Sequence, residues 1–377
     1  MRTNIFYSIT EMILVAFLSI CGSQAQAQMG TDGGIWLDDN GVHINAHGGG
    51  ILYQNETYYW FGEHKTEGQA GNRANVGVHC YSSKNLKDWQ DQGIALKVSK
   101  DPISPLVEGC ILERPKVIYN ESTKKYVMWF HHELKDQGYT AALTGLAVSD
   151  QVTGPYEYIH SLRPHAGIWP INFPMELRES EIQLGDLESG SPKWKKWVEN
   201  GGFLRRDFKG GQMCRDMTLF VDVDGKAYHI ASSEENQTLH IRELTDDYQG
   251  FTGKYVRALP AGRNEAPAVF IKDGKYYMIT SGLTGWKPNP ARSAEAENIM
   301  GPWTELGNPC RGSEEEVTTT FQSQSTYTID VEGRGNRFIL MADRWQPENA
   351  IDGRYIWIEI DFEEAKPVIK RKNVFSF

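Results

Sequence analysis

One short pattern recurs five times along the chain: a turn, then an aromatic-rich or bulky strand. The copies are Asn55-Glu56-Thr57-Tyr58-Tyr59-Trp60, Thr123-Lys124-Lys125-Tyr126-Val127-Met128, Asp224-Gly225-Lys226-Ala227-Tyr228-His229, Asp273-Gly274-Lys275-Tyr276-Tyr277-Met278 and Gly335-Asn336-Arg337-Phe338-Ile339-Leu340. Asp-Gly and its relatives supply the positive φ of a tight hairpin turn, and alternating bulky residues supply the strand that follows. A supersecondary unit repeated at intervals fixes the architecture before any other motif does. Five such units predict an all-β chain folded as a single-domain, five-bladed β-propeller. A ligand site is then expected where the blades converge.

The N-terminus carries a removable segment. Arg2 gives a short positive region, Met12 to Ile20 an apolar run, and Ala25-Gln26-Ala27 a small-x-small cleavage signal. Residues 1–27 read as a secretory signal peptide, so the mature chain spans 28–377 and is expected to be secreted or periplasmic. Lipidation at Cys21 is the minority reading, because Ile20 stands where a small residue is required. The apolar run is too short for a membrane span. A formal net charge of −10 disfavours nucleic acid and anionic membrane surfaces as partners and suits neutral sugars. Cys80, Cys110, Cys214 and Cys310 have neither a CxxC nor a zinc spacing, so they are expected to be structural, paired or not.

Polar turns followed by an aromatic close four of the units, at Trp89, Tyr156, Tyr248 and Trp303. Helical periodicity is nearly absent, apart from a weak stretch near 176–188. The repeats are unevenly spaced, and the longest gap holds an insertion at about 163–212, rich in charge and Trp. It reads either as a surface excursion packed on a neighbouring blade or as a lid over the site.

The position eleven to fourteen residues before each repeat aromatic is occupied by His47, Glu113, Asp216, Glu265 and Gln324. In a propeller the first strand of each blade lines the central channel, so these five side chains are expected to converge. Apolar or small residues flank them, and a buried carboxylate needs a partner or a function. A structural ion pair with Arg114, Arg215 or Arg344 is the bland account of any one of them. Carboxylates facing each other across a pocket are what glycoside hydrolysis uses: one stays protonated and gives its proton to the leaving oxygen, while a group opposite activates water. No calcium loop, GxGxxG, P-loop or GxSxG elbow is present, so no metal, nucleotide or serine nucleophile is expected to carry the chemistry.

At these residues the chain resembles a known family. Asn45-Ala46-His47-Gly48-Gly49-Gly50, Glu113-Arg114-Pro115-Lys116-Val117, Arg215-Asp216-Met217-Thr218-Leu219-Phe220, Ser233-Glu234-Glu235-Asn236, Glu265-Ala266-Pro267-Ala268 and Ser323-Gln324-Ser325-Thr326 together resemble glycoside hydrolase family 43, in its exo-β-1,3-galactanase branch. The resemblance implies a five-bladed propeller with inverting chemistry. It implies Glu265 as general acid and Asp216 as the carboxylate that tunes that acid. It implies Gln324, with Gln322 the second choice, as a base acting through its imidic form, and Glu113 as a further acid that contacts substrate. Most of the family carries an Asp base on the first blade. Here that region reads Asn45-Ala46-His47, a departure shared by the galactanase branch.

Softer candidates for substrate contact are His47, Glu63, Glu234, Trp286, Arg344 and Trp345, the last five of them at loop positions after blade strands. The expected activity is release of galactose from β-1,3-galactan, the arabinogalactan backbone. No cofactor is required, and a structural calcium ion is compatible with the reading. The alternatives are an α-L-arabinofuranosidase or β-xylosidase of the same family and a non-catalytic glycan-binding propeller. The missing first-blade Asp argues against the first, and the retained Glu265 and Asp216 against the second.

Overall fold

The computed structural model describes residues 31–179, 187–333 and 335–372. The expected signal peptide and residues 180–186 of the insertion lie outside them. Among the described residues, twenty-one strands form five sheets. The first is β1 (His47–Gln54), β2 (Thr57–His64), β3 (Gly77–Ser83) and β4 (Gln90–Lys97). The second is β5 (Ile111–Asn120), β6 (Lys125–Glu133), β7 (Leu143–Ser149) and β8 (Glu157–Leu162). The third is β9 (Met217–Val221), β10 (Ala227–Ser233), β11 (Thr238–Leu244) and β12 (Phe251–Ala258). The fourth is β13 (Glu265–Lys272), β14 (Lys275–Ser281), β15 (Arg292–Ala296) and β16 (Thr304–Gly307). The fifth runs β18 (Gln324–Asp330), β19 (Phe338–Arg344), β20 (Arg354–Glu363), β21 (Lys366–Lys370), with β17 (Cys310–Arg311) parallel to β21 at its outer edge.

Apart from β17, each sheet is a four-stranded antiparallel meander begun by one of the repeated hairpins. Gln54 pairs with Thr57 across Asn55-Glu56, whose φ angles are 49° and 56°. Lys272 pairs with Lys275 across Asp273-Gly274, at 53° and 78°. Two consecutive left-handed residues make the turn that matches the twist of its flanking strands. The five first strands form the inner ring: β1 lies against β5 and β18, β5 against β9, β9 against β13, and β13 against β18. The chain is thus the five-bladed propeller expected from its repeats.

The core sits between blades rather than at the ring's centre. Five apolar clusters each join neighbouring sheets, and the repeat residues Tyr58, Tyr126, Tyr228, Tyr276 and Phe338 are all buried in them. Trp60, Trp129 and Trp357 are fully buried, and truncating any one would cost about 3–5 kcal/mol. Ring closure between the first and fifth blades is reinforced by the segment before β1. Gly33 N–H donates to Tyr355 O at 2.9 Å, and Trp36 packs on Trp357 at 5.0 Å between ring centroids.

The insertion follows β8 and packs on the outer strand of the third blade. Ile171 N–H donates to Tyr255 O at 2.9 Å, and Tyr255 Oη donates back to Ile168 O at 2.8 Å. It holds two short helices, α1 (Pro192–Glu199) and α2 (Gly202–Asp207), around a small cluster of Trp197, Val198 and Phe203. The weak helical stretch expected near 176–188 is represented by a single 3-10 turn at Met175–Leu177 among the described residues. A third helix, α3 (Glu314–Thr319), opens with a Ser313/Glu316 capping box before the fifth blade.

Candidate active site

The inner strands begin with irregular pairing, and this places the polar side chains. Pairing shifts between His47 and Gly50, Glu113 and Lys116, Glu265 and Ala268, and Ser325 and Tyr327. The residue after the site residue is left-handed in three blades: Gly48 at φ 60°, Arg114 at 54° and Ala266 at 53°. A bulge re-aims the preceding side chain out of the pleat, and at Glu113 and Glu265 that side chain lines the central cavity. Gly48 has no alternative, because a Cβ there would sit 2.1 Å from Glu63 Oε1.

Glu113, Asp216, Glu265 and Gln324 all line one cavity of about 270 Å³, with Glu63, Trp286 and Trp345 on its wall. Seven of the sequence candidates therefore meet. Arg114 ties them together. Its Nη2 stands 3.0 Å from Asp216 Oδ2 and donates to Gln324 Oε1 at 2.7 Å, while its backbone N–H donates to Glu63 Oε1 at 2.8 Å. Gln324 Oε1 also accepts from Trp345 Nε1 at 2.9 Å, and its Nε2 donates to Ser281 Oγ at 2.8 Å. Glu63 is paired with Lys65.

The electrostatics divide the carboxylates into two kinds. Burial, then the charge of Asp216, pushes the Glu265 carboxyl up to about 8, against the pull of Arg114 and Arg215. Asn236 Nδ2 donates to its Oε1 at 2.8 Å. Burial acts on Glu113 too, but a hydrogen bond and charge from His131, with Lys65 and Tyr139, bring it down to about 2. Tyr139 Oη donates to Glu113 Oε1 at 2.6 Å, and His131 bridges Glu113 Oε2 at 3.1 Å and Glu133 Oε1 at 2.9 Å. His131 rises to about 9 because those two carboxylates outweigh its burial. One acid held protonated near neutral pH beside anchored, ionised groups is the arrangement proton donation requires.

Three candidates stand elsewhere. His47, expected on the channel, is wholly buried and stacks on Tyr355 at 5.4 Å, in space left by the missing side chain of Gly353. Glu234 is sealed behind the cavity, where Arg257 Nη2 and Nε donate to its two oxygens at 2.7 and 2.8 Å and His240 Nε2 donates at 2.8 Å. Arg344 donates to Phe321 O at 3.0 Å and Gln322 O at 3.3 Å, and so braces the backbone before Gln324. Gln322 pairs with Glu315 at the surface and does not line the cavity.

Sequence reasoning missed Lys65, His131, Tyr139 and Asn236, all of which line the cavity, and treated Arg114 and Arg215 only as ion-pair partners. Asn236 had a signal, since it closes the Ser233-Glu234-Glu235-Asn236 motif. Tyr139 had none. Its loop between β6 and β7 meets Glu113 only in three dimensions. Glu113, His131 and Asp216 bring one ligand atom each within 4.8 Å of one another. They do not suit a cation, because His131 is held as an imidazolium between two carboxylates and Asp216 is neutralised by Arg114.

A sequence model of glycosyl hydrolases family 43 matches residues 158–344. No curated protein matches the chain. Among solved structures, a family 43 β-1,3-galactosidase with galactodeoxynojirimycin is 49% identical, with a TM-score of 0.88, covering 92% of this chain and 100% of that one. An exo-β-1,3-galactanase from Clostridium thermocellum is 32% identical, with a TM-score of 0.71 over 90% of this chain and 64% of its own. One from Phanerochaete chrysosporium with β-1,3-galactotriose is 29% identical, with a TM-score of 0.70 over 90% of this chain and 66% of its own. The present chain thus spans about two-thirds of the length of these two. The fold, the channel carboxylates and these likenesses agree: the chain is a glycoside hydrolase and belongs to family 43.

Proposed function

We propose that this hydrolase is exported and removes galactose residues one at a time from the end of β-1,3-galactan, the arabinogalactan backbone, with inversion. The observation that carries the reading is the pairing of Glu265, pushed to about 8, with an Asp216 carboxylate anchored by Arg114. A cavity of about 270 Å³ lies just below the roughly 300–1,000 Å³ of small-ligand sites, which suits a single terminal sugar. The likeness to a β-1,3-galactosidase and to exo-β-1,3-galactanases supports the choice of sugar and linkage.

In this mechanism the Glu265 proton passes to the glycosidic oxygen as the bond from that oxygen to the anomeric carbon breaks. Glu113 stays ionised, and it and Asp216 accept sugar hydroxyls and favour the positive charge developing on the ring. Water adds from the opposite face. Gln324 replaces the absent first-blade carboxylate. Arg114, Trp345 and Ser281 fix its amide, which orients the water; in the imidic form its nitrogen takes the water proton while the proton on its oxygen passes to solvent, which restores the amide. Trp286 and Trp345, edge to face at 5.7 Å, offer an apolar wall to the galactose ring. No metal is assigned a step.

Purified protein is incubated with β-1,3-galactobiose and, separately, with an aryl α-L-arabinofuranoside. Galactose is released from the first and no arabinose from the second. Absence of galactose from the disaccharide overturns the assignment.

A further inference from the structure

Glu234, Glu235 and Asn236 form a run of three consecutive left-handed non-glycine residues, at φ 53°, 54° and 59°. They turn the chain between β10 and β11, where Ser233 pairs with Thr238. Such a run is unfavourable for residues with a Cβ and persists only where surrounding structure over-determines it. Here the determination comes from Arg257 of β12 and from the insertion bound to it. Arg257 grips both oxygens of Glu234, and the same guanidinium donates to Val198 O at 2.6 Å and Glu199 O at 2.7 Å, the closing carbonyls of α1. Arg206 of α2 pairs with Glu235 at 2.8 Å, and Arg215 takes the other Glu235 oxygen at 3.0 Å. Asn172, also in the insertion, exchanges two hydrogen bonds with the Arg257 backbone, at 2.9 and 3.0 Å.

The third residue of the run faces the chemistry. Asn236 Nδ2 donates to Glu265 Oε1 at 2.8 Å, and Asn236 Oδ1 is buried with no partner. None of the described residues of the insertion lines the cavity.

We propose that the insertion is a buttress for the general acid. Through Arg206, and by holding Arg257 of β12, it clamps the left-handed turn that sets Asn236, and Asn236 in turn holds the Glu265 carboxyl in its proton-donating geometry. Arg257 and Arg206 are positioning residues that touch no substrate, while Asn236 also presents its free Oδ1 to a sugar hydroxyl. The inference rests on the reading of Glu265 as the acid.

The groups facing Glu265 are Asp216 and Glu113, which raise its pKa, and Arg114 and Arg215, which lower it. The Asn236 amide favours the ionised carboxyl. Loosening the turn withdraws that amide. Removing Arg206 also leaves Arg215 as the remaining cation on Glu235, drawn away from Glu265. Both changes move the Glu265 pKa upward.

The test measures kcat and KM on β-1,3-galactobiose from about pH 5 to 10 for the native enzyme, Arg206→Gln, Arg257→Gln, Arg257→Lys and Glu265→Gln. Arg206 is partly exposed, with 37% of its side-chain surface open, so its variant is expected to fold even if the Arg257 variants do not. The buttress predicts that Arg206→Gln lowers kcat about tenfold with KM little changed, as expected when acid geometry is lost. It also predicts an alkaline limb of kcat/KM at least about half a pH unit higher, and partial recovery in Arg257→Lys relative to Arg257→Gln. A folded Arg206→Gln with native kcat and a native alkaline limb overturns the buttress. Glu265→Gln retaining native activity overturns the acid assignment instead, so the two failures are told apart.

Discussion

The Arg114 guanidinium and the Gln324 amide oxygen meet at 2.7 Å across the inner ring, joining the second blade to the fifth. The same Nη2 stands 3.0 Å from Asp216 of the third blade. One side chain thus sets two of the groups around the sugar. It can do so because the left-handed φ of 54° at Arg114 turns it out of the strand. Arg114→Lys keeps the charge but loses the fork. It is expected to lower kcat/KM about 100-fold or more and to lower the melting temperature, because buried Gln324 and half-buried Asp216 lose their donor. Steady-state kinetics and a thermal melt read both effects.

The acid's protonation sets the alkaline side of the activity profile. Glu265 acts when protonated and is pushed up to about 8, so kcat/KM is expected to fall as pH rises through about 8. The stability consequence has the same sign. A carboxyl whose folded value exceeds its unfolded value favours folding below the unfolded value, and that contribution is lost as pH rises through the folded one. Glu265→Gln is therefore expected to be inactive on β-1,3-galactobiose and, at about pH 9, to melt above the native enzyme. A pH series of melts on the two proteins checks this.

The His131–Glu113 pair works over a different window. His131, raised to about 9, stabilises the fold fully below its ordinary value and loses that contribution as pH rises through about 9. Glu113, held at about 2, stabilises above the ordinary carboxylate range and loses its contribution as pH falls through about 2. The pair is at full strength between roughly pH 4.5 and 6.5. His131→Gln should lower the melting temperature most in that interval and least near about pH 10. A uniform decrease across pH contradicts the ionic account.

Much of this was legible in the sequence, for a physical reason. Hairpin turns such as Asp273-Gly274 are local, so they marked the blades, and an offset of eleven to fourteen residues from the repeat aromatics marked the inner-strand openings. Glu113, Asp216, Glu265 and Gln324 followed from that offset and all line the cavity. The same offset failed at His47, because which side of the strand opening faces the axis depends on the bulge and on room beside Gly353. Glu234 looked like a substrate contact because it sits among site motifs. Its partner Arg257 lies on β12, and no local pattern announces a pairing between strands. The hydrogen bonds of Tyr139 and Asn236 were hidden for the same reason.

The two tryptophans of the wall are expected to separate by role. Trp345 donates to Gln324 at 2.9 Å, so Trp345→Phe keeps the ring, loses the donor, and should lower kcat about tenfold with little change in KM. Trp286 is 41% exposed and has only its face to offer. Trp286→Ala should mainly raise KM. Comparing the two variants on β-1,3-galactobiose tests the division.

All four cysteines among the described residues, Cys80, Cys110, Cys214 and Cys310, are free and buried, and burial raises each thiol's pKa. Reductant is expected to leave the melting temperature unchanged, and a thiol reagent to label the protein only after denaturation. Loss of stability on reduction would contradict four free thiols.

The most direct test of the central claim is proton NMR of the galactose that first appears when enzyme meets β-1,3-galactobiose. Protonation by Glu265 with water entering from the opposite face predicts that α-galactose accumulates first and then mutarotates. Initial β-galactose would contradict the inverting account, and absence of galactose would contradict the activity itself.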